Sequence, residues 1–311
     1  MLKHKTTQSL LFLAILLSPP VIADSKNGFV LDNALIPINE IYHGGPPKDG
    51  IPAIDKPRFI LAKKADYLKP NDRILGIHRN GVTKAYPIAI MNWHEIVNDV
   101  VEGEAIAITY CPLCGSGMAF SAQNAEQPLH LGVSGLLYNS DVLLYDRESQ
   151  SLWSQLLSKA VSGPRSGSKL SMIPLTHTSW ADWRERHPNT LVLSTATGFN
   201  RDYSSDPYAG YQSSEAIYFP VNNLDKRYHP KEQVLGVEIS GQFKAYPFAE
   251  LSRTNGLIED KIGNHKVTIE FNDAHRSARI FDSENNEIAA VVAFWFAWFA
   301  FHPDTAVFQV P

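Results

Sequence analysis

An internal repeat constrains the fold of this chain more than any other feature of its sequence. Residues 74–87 read ILGIHRNGVTKAYP, and residues 234–247, 160 positions further on, read VLGVEISGQFKAYP. A second block, WRERHPNT at 183–190, resembles WFAFHPDT at 298–305. Two matched blocks in the same order indicate a duplicated unit.

The repeat gives a division of the chain. We predict two unequal repeats, an N-terminal arm and a connection, with these boundaries: arm 24–57, first repeat 58–200, connection 201–217, second and shortened repeat 218–311. Much of the excess length of the first repeat falls within 120–175. Because neither the arm nor the connection has the low complexity of a flexible linker, the two repeats are expected to share one core.

The local pattern is mostly that of β-strands. Asn80-Gly81 separates two short alternating segments and is a strong signal for a two-residue hairpin. Pro87 predicts the start of a short helix through Met91, and Ser179 predicts the N-cap of a helix that ends near His187. Further strands are predicted at 95–101, 105–110, 129–135, 142–147 and 151–156, and the apolar segment 289–301 is predicted to be a buried helix or strand. The fold class is therefore α+β and predominantly β, with strand hairpins and short helices around a shared core.

The first 23 residues have the pattern of a secretory signal peptide. Lys3 and Lys5 form a basic start, an apolar run occupies 10–17, and Val21-Ile22-Ala23 is a suitable cleavage site before Asp24. The run is shorter than the roughly 20 apolar residues that span a bilayer. We expect a protein exported to the periplasm or the extracellular space, with no membrane span after cleavage.

The charge balance excludes one class of partner. The full chain has a net charge of −4 with His neutral, and removal of Lys3 and Lys5 makes the mature chain more acidic. This balance gives no electrostatic basis for binding nucleic acid. Hydrophobic residues make up 44% of the chain, which is enough for a large core. No sequence feature identifies another partner, and the sequence leaves open whether the protein is an enzyme.

Two cysteines carry the sharpest chemical signal. Cys111-Pro112-Leu113-Cys114-Gly115 follows a predicted strand, and these are the only cysteines in the chain. This spacing lets both sulfurs face one ion, and glycine accepts the left-handed conformation that follows the second cysteine. The pattern is typical of a metal knuckle, for which two thiolates favour zinc or copper.

A third ligand has to come from elsewhere in the chain. His94 is the first candidate, because it lies at the start of the predicted strand whose hairpin partner ends at Cys111. His130 and Met118 are the next candidates. In the second repeat, Asn272 and His275 occupy the positions of the two cysteines, whereas His187 and His302 recur in matching His-Pro turns and are expected to be structural.

Two other functions remain open at this point. The first is a thiol–disulfide protein without metal, although Gly115-Ser116-Gly117 predicts a turn where a thioredoxin-type site has a helix. The second is a ligand-binding or scaffold module, in which polar residues at 138–141 and 146–147 line a cleft rather than form turns. Ser134 lacks the spacing of a nucleophile elbow.

Several of these blocks together resemble the DUF3179 family, a bacterial exported domain of unknown function. The resemblance extends over residues 58–311 and is carried by these blocks: Ala85–Pro87, Asn92–Asp99, Thr109–Gly115, Gly132–Asp141, Leu152–Gln155 and His229–Glu232. It implies export and supplies no mechanism. The short path from His275 to Phe294 is read as a local deletion in the second repeat.

Overall fold

The computed structural model describes residues 25–123 and 127–310. The protein is mostly β, with 41% strand and 12% helix, as the sequence predicts. The predicted signal peptide over residues 1–23 lies outside the described residues.

The described residues form 23 strands, most of them short. In chain order they are β1 Ser25–Lys26, β2 Phe29–Val30, β3 Ile41–His43, β4 Phe59–Leu61, β5 Arg73–Arg79, β6 Val82–Pro87, β7 Ile96–Val101, β8 Glu104–Cys111, β9 Ser116–Ser121, β10 Leu131–Tyr138, β11 Asp141–Asp146, β12 Leu152–Ser154, β13 Lys159–Ser162, β14 Ser171–Ile173, β15 Thr176–Ser179, β16 Leu191–Leu193, β17 Gln233–Ile239, β18 Gln242–Pro247, β19 Leu257–Ile262, β20 His265–Asn272, β21 Ser277–Asp282, β22 Val291–Phe294 and β23 Ala306–Val307.

The helices are few and have at most seven residues each. They are α1 Ile88–His94, α2 Trp180–Arg186, α3 Phe248–Leu251 and α4 Trp295–Phe301, with 3-10 turns at Ile38–Glu40, Ala62–Lys64 and Asp273–His275. The apolar segment 289–301 thus contains both of its predicted alternatives, strand β22 followed by helix α4.

The largest sheet joins the two halves of the chain. Its order is β23-β18-β17-β22-β9-β8-β7, and β14 also pairs with β9. The junction is the pairing of β22 with β9, in which Val292 lies opposite Gly117. Two five-stranded sheets, β15-β5-β6-β16-β4 and β13-β12-β11-β10-β3, and a three-stranded sheet, β19-β20-β21, complete the main framework.

The two similar sequence blocks form hairpins of the same register. In β5–β6, Ile74 lies opposite Pro87, and in β17–β18, Val234 lies opposite Pro247. Both two-residue turns adopt positive φ angles, 51° and 78° at residues 80–81 and 53° and 77° at residues 240–241. The predicted Asn-Gly hairpin is therefore confirmed, and a Ser-Gly pair makes the same turn in the second block.

Each hairpin is also packed in the same way. Trp183 covers Gly76, and Trp298 covers Gly236, so closely that a Cβ at either glycine would overlap the indole ring. Each indole Nε1 donates to a threonine seven residues later, over 3.0 Å in both cases, with Thr190 and Thr305 as acceptors. Glycine at these two positions therefore serves close packing rather than an unusual backbone angle.

One apolar cluster contains residues of both halves. It includes Trp153 and Val133 from the first half and Val234 and Trp295 from the second, together with Cys111 and Cys114. The cysteines therefore lie inside the joint core and not at the surface of one half.

The helix before the cysteine hairpin is longer than predicted. It continues past Met91 to His94, because the Glu95 N–H bonds to the Met91 carbonyl over 2.7 Å and closes one more turn. Strand β7 therefore begins at Ile96, and His94 lies at the end of a helix rather than at the start of a strand.

Candidate metal centre

The cysteine pair lies in the tight turn between β8 and β9. Cys111 is the last residue of β8 and pairs with Ser116, and the Cys114 N–H bonds to the Cys111 carbonyl over 3.2 Å. Gly115 has a φ of 61°, as the sequence predicts, and the Phe294 ring packs so closely that a side chain at this position would overlap it. A strand and not a helix follows the turn.

The turn is fastened to the second half of the chain. The Phe294 N–H donates to the Cys114 carbonyl over 2.8 Å. Because β22 ends at Phe294, the end of an interior strand of the large sheet holds the turn in place. The conformation of the cysteine pair therefore depends on the association of the two halves.

Three potential metal-binding side chains meet at this point. The sulfurs of Cys111 and Cys114 and a carboxylate oxygen of Asp141 all lie within 4.8 Å of one another. Both cysteines are free thiols, and all three residues are at most 1% exposed. The three groups are thus close enough to hold one ion, and they are buried.

Asp141 reaches the cysteines through a second tight turn. Asn139 and Ser140 connect β10 to β11 with φ angles of 50° and 64°, and Asp141 is the first residue of β11. The Ser140 carbonyl lies 3.4 Å from the Cys114 sulfur, so the thiol can donate to it. This turn therefore positions both a carbonyl and a carboxylate against the cysteine pair.

Among the described residues, only one oxygen of Asp141 has hydrogen-bond partners. Oδ2 accepts from the Leu156 N–H over 3.0 Å and from the Ser154 hydroxyl over 3.4 Å. Oδ1 is buried and has no hydrogen-bond partner in the described part of the chain. An unpartnered buried carboxylate oxygen is costly, and the carboxyl group that carries it lies beside two thiols.

The surroundings oppose negative charge on these groups. Burial raises the pKa of Asp141 to about 7, although hydrogen bonds from the Leu156 N–H and the Ser154 hydroxyl act against the rise. Burial, the adjacent Cys111 and Asp141 together raise the pKa of the Cys114 thiol well above its ordinary value. Without a cation, the Cys114 thiol is therefore expected to keep its proton near neutral pH, and Asp141 to be about half protonated there.

His94 is buried but does not belong to this group of three. Its Nδ1 donates to the Pro52 carbonyl over 2.7 Å, and its Nε2 accepts from the Tyr203 hydroxyl over 2.7 Å. Burial lowers the pKa of the imidazole, which is consistent with this neutral form. In this structure Asp141, and not His94, stands as the third donor beside the cysteines.

The other histidines considered from the sequence have other partners. His130 pairs with Glu148 at the surface over 2.8 Å, and His275 bonds to the Ser179 hydroxyl over 2.8 Å. His187 and His302 each lie against a tryptophan, with ring centroids 4.2 Å apart in both cases. The last two contacts agree with the structural role expected for the His-Pro turns.

Met118 and Ser134 are buried within strands. Met118 lies in β9 inside the same apolar cluster as the cysteines, and it is not part of the three-residue donor group. The Ser134 hydroxyl donates to the Leu143 carbonyl, so its hydrogen bond is made within its own sheet.

Sequence reasoning did not identify Asp141 as a site residue. The available signal was the segment Tyr138-Asn139-Ser140-Asp141, which is polar and lies between two apolar strands. Such a segment usually forms an exposed turn. Its burial against the cysteines comes from the packing of two sheets, which no local pattern reveals.

The fold and this site define a mostly β protein with a buried cluster of two thiols and a carboxyl group. The chain belongs to the DUF3179 family: the model described as "Protein of unknown function (DUF3179)" matches residues 48–305. No curated protein and no solved structure matches the chain. In the described part of the chain, no helix combines the length and the apolar character needed to cross a membrane.

Proposed function

We propose that this protein binds one metal ion, zinc, through Cys111, Cys114 and Asp141. The observation that carries the proposal is the cluster in which both sulfurs and a carboxylate oxygen of Asp141 lie within 4.8 Å of one another, while Oδ1 of this buried carboxyl group has no partner among the described residues. A bound cation satisfies this oxygen and both thiolates at once. It also removes the cost of placing three acidic groups in an apolar core.

Nearby positive charge does not replace the ion. Lys231 is buried and the charge of Cys114 acts on it, but its ammonium group already donates to the Ser214 and Ala216 carbonyls over 3.1 and 2.6 Å. It also lies over the Tyr211 ring, 3.8 Å from the centroid. One lysine cannot balance two thiolates and a carboxylate, so a divalent ion suits the site better.

The donor set favours zinc over copper(I). Both ions accept thiolates, but a carboxylate oxygen is a hard ligand that zinc accepts readily and copper(I) does not. Copper(I) would be favoured by a third soft donor such as Met118, which is not in the donor group.

A thiol–disulfide function without metal is the second candidate. It is supported by two free thiols close enough to approach each other. Two observations argue against this function. Both thiols are buried, and strand β9 follows them, whereas a thioredoxin-type site has a helix there whose N-terminus activates the first thiol. A metal site therefore accounts for more of the geometry, since it also uses Asp141.

The metal content of the purified protein tests the proposal. We expect one zinc per chain in the reduced protein, measured by elemental analysis. Cys114→Ser and Asp141→Asn should each weaken zinc binding roughly tenfold or more. The matched control is His275→Ala, which changes the equivalent turn of the second half and should leave zinc binding unchanged. A reduced wild-type protein that takes up no zinc contradicts the proposal, and uptake of copper(I) alone contradicts the choice of metal.

We also infer that the protein works outside the cytoplasm. The support is the sequence pattern over residues 1–23, with cleavage before Asp24. Intact-mass measurement of the protein from the extracytoplasmic fraction should give a chain that begins at Asp24. A chain that keeps residues 1–23 would contradict the inference.

We infer further that the two halves are unequal copies of one unit. The support is the pairing described above: two hairpins of one register, each covered by a tryptophan that bonds to a threonine over 3.0 Å. In both copies a parallel strand also joins the second hairpin strand at its lysine, Lys84 or Lys244.

A further inference from the structure

The three donors of the proposed centre leave the fourth position of a tetrahedral ion unassigned. A fourth protein ligand makes a closed, structural zinc site, whereas an exchangeable water in that position makes a reactive site. Ser140 immediately precedes Asp141 in the turn between β10 and β11, and it offers an oxygen atom for the fourth position.

The main-chain carbonyl of Ser140 lies against both cysteines. Its oxygen is 3.4 Å from the Cys114 sulfur and 4.0 Å from the Cys111 sulfur. When zinc binds a thiolate at about 2.3 Å and an oxygen at about 2.1 Å with a tetrahedral angle between them, the sulfur and the oxygen are about 3.6 Å apart. The carbonyl oxygen is therefore already close to the distance expected between two ligands of one ion.

The two thiols are the only groups that donate to this carbonyl in residues 25–123 and 127–310. Ser140 is 0% exposed, so bulk water does not reach its carbonyl. Zinc binds cysteine as the thiolate, and binding therefore removes both thiol protons. A buried carbonyl that has lost its donors and faces two thiolates is costly, and a cation bound by all of them removes that cost.

The burial of this carbonyl distinguishes its turn from similar turns. Five two-residue turns within the described ranges have positive φ at both positions, and in four of them the second residue is an exposed glycine: residues 28, 81, 103 and 241. Carbonyls in exposed turns can bond to water. In the fifth turn the second residue is the buried Ser140, with a φ of 64°, in the left-handed region that favours glycine. Of these five turns, only this one has its second carbonyl where a partner must come from the protein or from a bound ion.

The Ser140 hydroxyl is the other oxygen that this residue offers. It is buried and has no hydrogen-bond partner in the part of the chain that the structure describes. A hydroxyl can donate as well as accept, so it can donate to a thiolate once the thiols are deprotonated. The carbonyl can only accept, and of the two oxygens it is therefore the one that needs the cation.

We propose that the main-chain carbonyl of Ser140 is the fourth ligand of the bound ion and closes the centre. This inference rests on the proposed metal function. The ion then joins the turn between β8 and β9 to the turn between β10 and β11, and no position remains for an exchangeable water. The centre is therefore of the structural class: it holds the two turns together and takes no substrate at the ion.

Cobalt(II) in place of zinc and serine labelled with carbon-13 at its carbonyl carbon test this inference directly. The protein is made by cell-free synthesis with the labelled serine, loaded with cobalt and examined by electron–nuclear double resonance. We expect a carbon-13 coupling that disappears in Ser140→Ala, because alanine brings an unlabelled carbonyl to the same place. The visible absorption bands of cobalt should not change in this variant, since the carbonyl ligand remains.

Ser116→Ala is the matched control for the label. Ser116 lies opposite Cys111 in the β8–β9 hairpin, so this variant removes a labelled serine from the same surroundings. The carbon-13 coupling should persist in it.

Azide tests whether the fourth position is closed. The bands of the cobalt-loaded wild-type protein should not respond to azide, because no exchangeable ligand is present. Asp141→Ala, loaded at a higher cobalt concentration, loses one protein ligand and should bind azide with a clear change in its bands. We expect azide binding at least tenfold weaker in the wild type than in this variant.

The outcomes separate the two proposals. A wild-type protein that takes up neither zinc nor cobalt overturns the metal function, and this inference with it. Normal cobalt loading without a carbon-13 coupling that depends on residue 140 overturns the carbonyl ligand and leaves the metal function standing. An azide response of the wild type equal to that of Asp141→Ala also overturns it, because the fourth position is then open. Altered cobalt bands in Ser140→Ala would assign the ligand to the hydroxyl instead and so contradict the inference.

Discussion

The two strand–turn–strand units β8–β9 and β20–β21 have the same strand register and turn length but different chemistry. In the first, Cys111 pairs with Ser116 and Gly115 is left-handed; in the second, Asn272 pairs with Ser277 and Arg276 is left-handed, with a φ of 44°. The first turn is buried, whereas the side chain of Asp273 in the second is 62% exposed. A turn of the same length between paired strands can therefore lie in a buried cluster or at the surface.

The difference arises from what covers each turn. Strands β10 and β11 bring Ser140 and Asp141 against the first turn, and Tyr211 from the long connection covers it further. The second turn instead bonds to the surface of the first half, where Arg73 donates to the carbonyls of residues 275 and 276. A knuckle becomes a candidate metal centre only where a second layer supplies both burial and a third donor.

An ion pair in each half, buried in the first half and partly buried in the second, gives the comparison with the largest expected effect. Asp99 accepts from Lys84 over 2.7 Å, and Asp260 accepts from Lys244 over 2.5 Å; a tyrosine hydroxyl also donates to each carboxylate. The side chains are 8% and 6% exposed in the first pair and 17% and 20% in the second. Asp99→Asn should therefore cost about 3 kcal/mol of unfolding free energy, because it leaves a buried lysine unpaired.

The matched substitution in the second half should cost less. Asp260→Asn leaves Lys244 nearer to solvent, so we expect a loss of about 1 kcal/mol. Urea unfolding of both variants measures the two values. Equal losses would show that the two pairs are buried to the same degree in solution, against the comparison drawn here.

Asp141 and Asp273, one from each compared region, should change the stability of the protein with pH in opposite directions. Burial raises the pKa of Asp141 to about 7, whereas a hydrogen bond from the Ser252 hydroxyl lowers that of Asp273. The folded metal-free protein thus holds the Asp141 proton where the unfolded chain has lost it. Between about pH 4 and pH 7, this group makes stability fall as pH rises.

The opposite holds for Asp273. The stability that its lowered pKa contributes to the folded state is present above its ordinary pKa and is lost as pH falls. Unfolding of the metal-free protein at several pH values should show a shallower decline in Asp141→Asn. Some decline remains, because burial also raises the pKa of Glu95 to about 8. Asp273→Asn should weaken only the loss of stability on the acid side. A decline that Asp141→Asn leaves unaltered would contradict the burial of this carboxyl group.

The smallest effects should be equal in the two halves. Thr190→Val and Thr305→Val each remove the acceptor of a buried indole N–H, and each should cost about 1 kcal/mol. Thr190→Ser and Thr305→Ser keep the hydroxyl and serve as controls for each site. Thermal or urea unfolding measures all four. A clear difference between the two valine variants would argue against equivalent tryptophan sites and weaken the inference of a duplicated unit.

The predictions from sequence succeeded where one short segment carries its own structural signal. The Asn80-Gly81 turn, the Ser179 cap of α2 and the left-handed Gly115 are present as predicted. Each depends on backbone angles and hydrogen bonds within a few residues. His94 was placed at a strand start because the helix before it was predicted to end at Met91, and one added turn changed its neighbours.

The sequence by itself determined the hairpins, the caps, the cysteine knuckle and the family, because these depend on local backbone preferences and on residue order. Only the tertiary structure decided that Asp141 joins the cysteines, that His94 bonds to Pro52 and Tyr203, and that Glu95 is buried. These features need segments that are distant in sequence to pack together. Burial then sets their charge and reactivity, and burial is a property of the packed layers rather than of any single segment.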